Sequence, residues 1–498
     1  MLLVSLPRVA ASYWRGQRPH VEDMERIVRY LRRRRERGLP AVPPRLLQRI
    51  RGLGQSDPNR LAGLQTRKLR TTVEYVHRYV PFYREAMDAH GVKPTDIRSL
   101  EDVHKLPITR REQLAENPEA FISRRPGLVA SAFSRTGGTT GKPLVVYLTN
   151  DELSYYTAGE AIAGLMMGWL GPTEILQTHF SQDAAIEGLV LAGAARKAGT
   201  LVLSFSGTST LDDHVESIFQ ERNIPGKKKN VSILMISPSH LWTLTRRAEE
   251  MGVDFGESGI RRIQTGGAMV SEDLRQRVME TWGVRLSEGF GLAELVTCAA
   301  VACDKSDRLH FSDFTAYAEV LDPETRQPLP PGKPGVLVIT SFYPDRELMP
   351  VLRYWTEDVV ILSADRNCAC GLPTTQILDI VGRADHRVKI GNLTVYPQQV
   401  GDSLLAFPEL VLPPRFTLRT EQHVEAQHAV LDVEVGGGLS PGDTEPLRQR
   451  IAEGIVLSHY WQVKLGSVKL FVNLRAAGSL EHPFPYKHRH LVMARRGE

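Results

Sequence analysis

The chain has no apolar run that approaches the roughly 20 residues a membrane-spanning helix needs. It has only four cysteines in 498 residues, too sparse for the disulfide framework of a small secreted fold. A reducing, cytoplasmic setting is the expectation, and the cysteines then need another explanation. A large excess of one charge is also missing: the net balance is +5. The basic clusters Arg32–Arg35 and Lys227–Lys229 have no interleaved aromatics and sit in no nucleic-acid motif, so they read as solvated faces. Neither a nucleic acid nor a membrane is an expected partner. There is no internal repeat and no low-complexity tract beyond Gly436-Gly437-Gly438, which reads as a hairpin turn. The apolar start, Met1 to Ala11, runs into Tyr13, Trp14 and Arg15 without a small-residue cleavage site; it reads as part of the fold, not as a signal peptide.

What is present is the composition of a soluble globular protein, 42% hydrophobic and 24% charged. The length exceeds one compact core and implies two or three domains. Residues 15–120 read as mostly helical, with Val21–Arg35 and Leu69–His90 as the clearest segments. Three Pro-punctuated helix starts follow, at Lys93–Asp96, Ser99–Glu101 and Pro107–Thr109, each with a Ser, Thr or Asp cap. From Ser131 short β-branched or apolar runs (Leu144–Leu148, Thr200–Phe205, Ser232–Ile236, Arg262–Thr265) alternate with helical stretches (Glu152–Trp169, Glu187–Ala198, His240–Met251, Glu272–Trp282). That alternation predicts an α/β region. After Phe314 strands dominate, at Ala316–Leu321, Gly335–Thr340, Thr356–Leu362 and Gln376–Val381. A boundary near Gly382–Asp385 precedes a smaller α+β unit with strands at Val388–Ile390, Val430–Val435 and Val468–Val472, and helices at Pro397–Leu404 and Thr444–Ser458.

Four motifs carry chemistry. Ser134-Arg135-Thr136-Gly137-Gly138-Thr139-Thr140-Gly141-Lys142-Pro143 precedes a strand. Its glycines let the backbone turn N–H groups toward an anion, its threonines add donors and Lys142 adds charge, a combination suited to a polyphosphate. The Gly and Lys spacing is not that of a Walker A loop. In Glu288-Gly289-Phe290-Gly291-Leu292-Ala293-Glu294 a ring between glycines suits a purine, and a carboxylate four residues on suits Mg²⁺. Thr265-Gly266-Gly267-Ala268 is bare backbone after a strand, open to a ligand. In Arg353-Tyr354-Trp355-Thr356-Glu357-Asp358 the acid is read at a strand start, where it can accept both ribose hydroxyls; Gly382-Arg383-Ala384-Asp385 follows. Each motif alone also fits a turn, a buried Phe or a surface ion pair.

Their order resembles the adenylate-forming superfamily of acyl-CoA synthetases and luciferases. Within it, Tyr79–Arg84, Ser99–Asp102, Lys105–Thr109 and Val388–Pro397 are similar to the phenylacetate–CoA ligase branch. The resemblance spans residues 70–400 most closely. It implies an α/β fold with a large N-terminal ATP- and acid-binding domain (1–384, α/β subdomains plus a β-rich subdomain). A small mobile α+β C-terminal domain (385–498) would turn about Asp385. It further implies that Thr136, Gly137, Gly138, Thr139, Thr140, Gly141 and Lys142 bind ATP phosphates. Gly267 and Phe290 would flank adenine, with Ala268 and Gly291 beside them. Glu294 would coordinate Mg²⁺, and Asp358, supported by Arg383, would hold the ribose. Thr139, Glu294 and Lys487 are the expected catalytic groups, and Gly391 lies on the loop expected to approach the acceptor's channel. Acid-pocket candidates by family position are His179–Gln182, Ser237–His240 and Gln264–Ala268.

The chain departs from the family at three places. Glu357 stands where Thr-Gly-Asp is usual, Gly401 where a carboxylate is usual, and Lys487 lacks the preceding Gly. Cys303, His310, Cys368 and Cys370 form a set suited to closed tetrahedral Zn²⁺; scattered buried thiols are the alternative, and the branch often carries Cys and His at such positions. Cys298 is left over as a core residue. The expected activity is ATP-dependent, AMP-forming activation of a carboxylic acid, an aromatic one in the first instance, with transfer to CoA. Two alternatives stand beside it: a biosynthetic ligase that uses an amine, another nitrogen nucleophile or a carrier-protein thiol, and a degenerate zinc-containing binding protein without adenylation.

Overall fold

The protein is described by a computed structural model that covers residues 2–41, 43, 58–135, 143–180, 186–205, 209–267, 270, 272–303, 305–370, 374–386, 388–390, 393–411, 414–422, 427–437, 440–455, 457, 463 and 468–480. The N-terminal part is helical, over Leu2–Trp14, Val21–Glu36, Pro58–Tyr79 and Pro81–Ala89. The helix expected over Leu69–His90 is thus two helices. Pro81 has no N–H for the preceding turn and sits at the first position of the second helix, where none is needed. The first two Pro-punctuated starts make single 3₁₀ turns, Pro94–Asp96 and Glu101–Lys105. Their Asp carboxylates accept from the backbone N–H groups of Lys93, Arg98 and Ser99, but no apolar stripe follows to extend them. Thr109 caps nothing: its hydroxyl donates to the Leu352 carbonyl at 2.6 Å, and the helix begins at Arg111.

A hairpin of Ala132–Arg135 (β1) and Val145–Leu148 (β2) flanks the Gly/Thr-rich loop; residues 136–142 lie outside the described residues. The main sheet has eleven strands. Its parallel half comprises Ile175–Thr178 (β3), Leu201–Ser204 (β4), Ile233–Ile236 (β5), Arg262–Gly266 (β6) and Leu286–Leu292 (β7), in the order β4-β3-β5-β6-β7. Four of these strands lie between the helices expected from the sequence. Ile233–Ile236 is buried at every position, as a strand covered on both faces must be.

The antiparallel half comprises Thr297–Cys303 (β8), Ser306–Phe311 (β9), Ala316–Leu321 (β10), Pro334–Ser341 (β11), Tyr354–Leu362 (β12) and Gln376–Arg383 (β13). Its order away from β7 is β8-β9-β13-β12-β11-β10. Two expectations change here. Asp358 lies inside β12, not at its start, and Cys303 and His310 belong to a β8–β9 hairpin instead of a loop.

Beyond a short 3₁₀ turn, Ala384–His386, come the ribbon Val388–Ile390 (β14) and Leu393–Val395 (β15) and a three-stranded sheet. That sheet consists of Phe416–Gln422 (β16), Gln427–Val435 (β17) and Val468–Ala476 (β18). β17 and β18 run parallel, so the chain between them is a crossover carrying the helix Thr444–Gly454. The glycines at 436 and 437 therefore lead from strand to helix and make no hairpin. Val395, Leu404, Phe416, Leu431, Ile451 and Val472 belong to an apolar cluster of this region alone, separate from the clusters of the main sheet.

The two halves are joined by buried charge. The helix Asn150–Met167 begins with a capping box, Thr149 accepting from the Glu152 N–H and Glu152 from the Thr149 N–H. The other oxygen of Glu152 accepts from Arg346 at 2.7 Å and from the backbone N–H groups of Glu347 and Leu348. Both Glu152 and Arg346 side chains are 0% exposed. Alongside, Lys68 pairs with buried Asp345, which also accepts from Tyr155. Removing one partner of such a pair leaves the other buried and unpaired, at a cost of about 3–5 kcal/mol. Glu152→Ala is accordingly expected to lower unfolding free energy by about that much in denaturant titration. A loss below about 1 kcal/mol would show that Arg346 finds another partner.

Candidate active site

β12 and β13 pair so that Asp358 lies directly opposite Arg383. Their side chains approach to 3.6 Å. Arg383 also makes a fork of two hydrogen bonds to Asp385, at 3.0 and 3.1 Å, and reaches the Thr356 carbonyl. Glu294, in the 3₁₀ turn Ala293–Leu295 after β7, is buried and acts electrostatically on the Tyr354 hydroxyl. Glu294, Glu357, Asp358 and Asp385 are close enough to act on one another electrostatically, with Arg383 among them. The third and fourth motifs and the end of the second therefore form one site, at the edge where the β7 end and the β12–β13 ladder meet.

Crowding of negative charge sets the electrostatics. Burial pushes Asp358 up to about 7; Arg383 opposes the shift, while Glu294, Asp385 and Glu357 reinforce it. Burial likewise raises Glu357, Asp385 adds to the rise, and Arg110 and Arg383 oppose it. A site built this way favours a ligand that brings hydrogen-bond donors or a cation.

Glu357 has φ +68°, in the left-handed region that costs a side-chain-bearing residue roughly 1–2 kcal/mol. This is why glycine is usual at that position, and Glu357 holds the turn while facing Arg110 at 3.8 Å. On β6, Gly266 lies against the Gly289 carbonyl, which an added Cβ would approach to 3.1 Å, and Gly267 has φ +79°. Both positions favour glycine. Gly266 pairs with Gly289, so Gly267 and Phe290 follow at the ends of adjacent paired positions. Phe290 and Gly291 lie in β7 itself, at a register shift against β8. Such a bulge re-aims the local side chains.

Thr136, Gly137, Gly138, Thr139, Thr140, Gly141, Lys142, Ala268, Gly391 and Lys487 lie outside the described residues. Tyr354 and Glu357 are members that sequence reasoning did not single out. Both stand within a motif that it quoted, and the signal for Glu357 was its place in a usual glycine position.

A second cluster lies at the far end of the β8–β9 hairpin. Cys303, His310, Cys368 and Cys370 each bring one ligand atom within 4.8 Å of the others. Cys303 Sγ and Cys368 Sγ are 3.6 Å apart, Cys370 Sγ and His310 Nε2 3.5 Å. The Thr374 hydroxyl contacts His310 Nδ1 at 2.9 Å, which leaves Nε2 as the ligating nitrogen.

The family model described as AMP-binding enzyme matches residues 132–343. The phenylacetate-coenzyme A ligase of Thermus thermophilus is 32% identical over 379 residues, 76% of this chain and 82% of that one. The chain belongs to the phenylacetate–CoA ligase-like branch of the adenylate-forming family. A phenylacetate-coenzyme A ligase of Aromatoleum evansii is 25% identical over 449 residues, 89% of this chain and 95% of that one. Among solved structures, 2-hydroxyisobutyryl-CoA ligase in its postadenylation state shares the fold, with a TM-score of 0.73 at 18% identity, covering 89% of this chain and 91% of that one. As a family member the chain is an ATP-dependent, AMP-forming ligase. No helix among the described residues is long and apolar enough to cross a membrane.

The raised Asp358 carries a sign for stability. The folded state holds this proton from the ordinary 3.8 up to about 7, whereas the unfolded chain releases it near 3.8. Stability must therefore fall as pH rises through that window and level off above it. Relative to Asp358→Asn, the ligand-free wild type is expected to lose more than about 1 kcal/mol between pH 4 and 7. Denaturant melts across that range check this, and parallel curves would refute it.

Proposed function

We propose that this ligase activates a carboxylic acid, an aromatic one in the first instance, as its acyl-AMP with release of pyrophosphate, and then passes the acyl group to coenzyme A. The observation that carries the reading is the Asp358–Arg383 pair on adjacent strands, set beside Glu294 and Asp385. Asp358 accepts the ribose hydroxyls and Arg383 holds it in place. Phe290 and Gly267 form the walls for adenine, and the loop Thr136–Lys142 with Thr139 cradles the phosphates. Glu294, buried near Tyr354, fits a Mg²⁺ ligand; the ion would supply charge neutralisation at the phosphates. The substrate carboxylate attacks the α-phosphorus, the bond to pyrophosphate breaks, and no protein nucleophile is involved. Lys487 is the proposed cation at the developing charge.

The second half-reaction places a hinge at Asp385. It stands in a 3₁₀ turn between β13 and the region with its own apolar cluster, and residues 385–498 are proposed to turn there as the small C-terminal domain. Half-reactions separate these roles. Glu294→Ala and Lys142→Ala are expected to reduce acid-dependent pyrophosphate release by at least about 100-fold in folded protein. Asp385→Pro, which fixes φ, should keep acyl-AMP formation and lose acyl transfer. Full pyrophosphate release by folded Glu294→Ala would remove its assignment, and wild-type transfer by Asp385→Pro would remove the hinge. An amine or carrier protein outcompeting coenzyme A in the same assay would replace the acceptor.

The Cys303, His310, Cys368 and Cys370 set is proposed as a structural zinc site. Tetrahedral Zn²⁺ puts thiolates about 3.8 Å apart, and thiolate and imidazole about 3.6 Å apart, close to the separations found. With no open position such a site ties the β8–β9 hairpin to the β12–β13 connection and takes no part in catalysis. Metal analysis of protein purified without chelator should find this zinc, and Cys368→Ser should lose it and melt at lower temperature. Metal-free wild type of equal stability would overturn the assignment.

A further inference from the structure

Three histidines converge at the C-terminal edge of the parallel strands, away from the cysteine set. His179 directly follows β3. His240 lies in the first turn of the helix Pro238–Glu250, which follows β5. His214 comes from the first turn of the helix Leu211–Phe219 beyond β4. Ring centroids are 4.6 Å apart for His179 and His214, 4.7 Å for His179 and His240, and 5.6 Å for His214 and His240. One ring nitrogen from each lies within 4.8 Å of the others.

Among the described residues, three ring nitrogens of this cluster have no partner. His214 is 7% exposed, yet among the described residues neither of its ring nitrogens has a hydrogen-bond partner, and His179 Nδ1 has none. Gln177 holds the cluster from behind, its amide donating to the His214 carbonyl at 2.9 Å and lying 3.2 Å from His179 Nε2. Phe205 closes one side, stacked on His179 and edge-on to His214. A packing role alone would leave these orphaned nitrogens uncompensated, at about 1–3 kcal/mol each. Open α/β sheets bind ligands at this strand edge, and Phe180, next to His179, faces Gly267 of the nucleotide motif.

We propose that His179, His214 and His240 form a second metal site, for a divalent transition ion such as Zn²⁺, Co²⁺ or Ni²⁺. Imidazole nitrogens on a tetrahedral ion lie about 3.4 Å apart, so side-chain rotation from the present separations completes the set. Three neutral ligands leave an open position and an uncompensated double charge, which an anionic oxygen or nitrogen donor fills. The cysteine set has neither property, so the two sites differ in chemistry as well as in place. The inference does not depend on the adenylation reading, because it is read without ATP or acid.

Cobalt titration of chelator-treated full-length protein tests it. Co²⁺ on thiolates shows intense near-ultraviolet sulfur-to-metal charge transfer, whereas Co²⁺ on imidazoles shows visible ligand-field bands alone. Wild type should bind about two ions per chain, one of each spectral kind, and azide should shift only the thiolate-free bands. His214→Ala should weaken the thiolate-free site at least ten-fold and leave the thiolate bands intact. His240→Asn, at a less buried ligand, should do the same if His214→Ala does not fold. Binding of a single thiolate-type ion by wild type, histidine variants with unchanged thiolate-free binding, or bands insensitive to azide would overturn the proposal. Loss of the thiolate bands alone would bear on the cysteine site and leave this one standing.

Discussion

Glu152 accepts hydrogen bonds from Arg346, from its own helix cap and from two backbone N–H groups of the β11–β12 connection. A carboxylate shut away from water in this way is tolerable only because every lone pair is used. The arrangement fixes three things at once: the start of the helix Asn150–Met167, the path of residues 345–348, and through them the entry into β12. Lys68 and Asp345 repeat the device toward the N-terminal helices. Arg353, paired in a fork with Glu319 and bound to the carbonyls of His104 and Leu106, repeats it at the mouth of the strand. The helical lead-in is thus bolted to the sheet by charges that have no freedom to slide.

That rigidity has a purpose one turn further on. Tyr354 and Asp358 leave the bolted segment on β12, while Glu294 arrives on the 3₁₀ turn after β7 and Arg383 on β13. Glu294, Asp385 and Glu357 crowd Asp358 beside Arg383, and the fold has to hold them together against that repulsion. The strained backbone at Glu357 belongs to the same bargain: a left-handed residue turns β12 so that Asp358 faces Arg383. Ligand hydroxyls and a cation relieve charge that the empty site leaves uncompensated, so the energy stored in crowding favours binding.

Local patterns made much of this legible. Alternation of apolar runs with helical stretches named three strands of the main sheet's parallel half, β4, β5 and β6, and its covering helices, because hydrophobic period is a property of neighbouring residues. Glycine pairs marked Gly266–Gly267, where a positive φ and the close approach of Gly289 disfavour a side chain. Strands β3, β7, β8 and β9 of the main sheet escaped notice. Residues 297–303 alternate small and apolar residues and carry no strong propensity, and their strand character comes from pairing with β7 and β9. Thr109 looked like a cap and became a bridge to Tyr354, since the distant Leu352 carbonyl took its hydroxyl from the local turn.

By itself, the sequence determined the family, the α/β class, the order of the motifs and the residue types proposed for phosphate, base and metal, all of which depend on short-range spacing. Only the tertiary structure decided which distant residues meet. Cys303 and Cys368 are 65 positions apart and come within 3.6 Å because β9 pairs with β13. His214 joins His179 and His240 because parallel strands deliver their connections to one edge. Pairing between strands far apart in sequence is fixed by burial of the whole sheet, and no window of the chain contains that information.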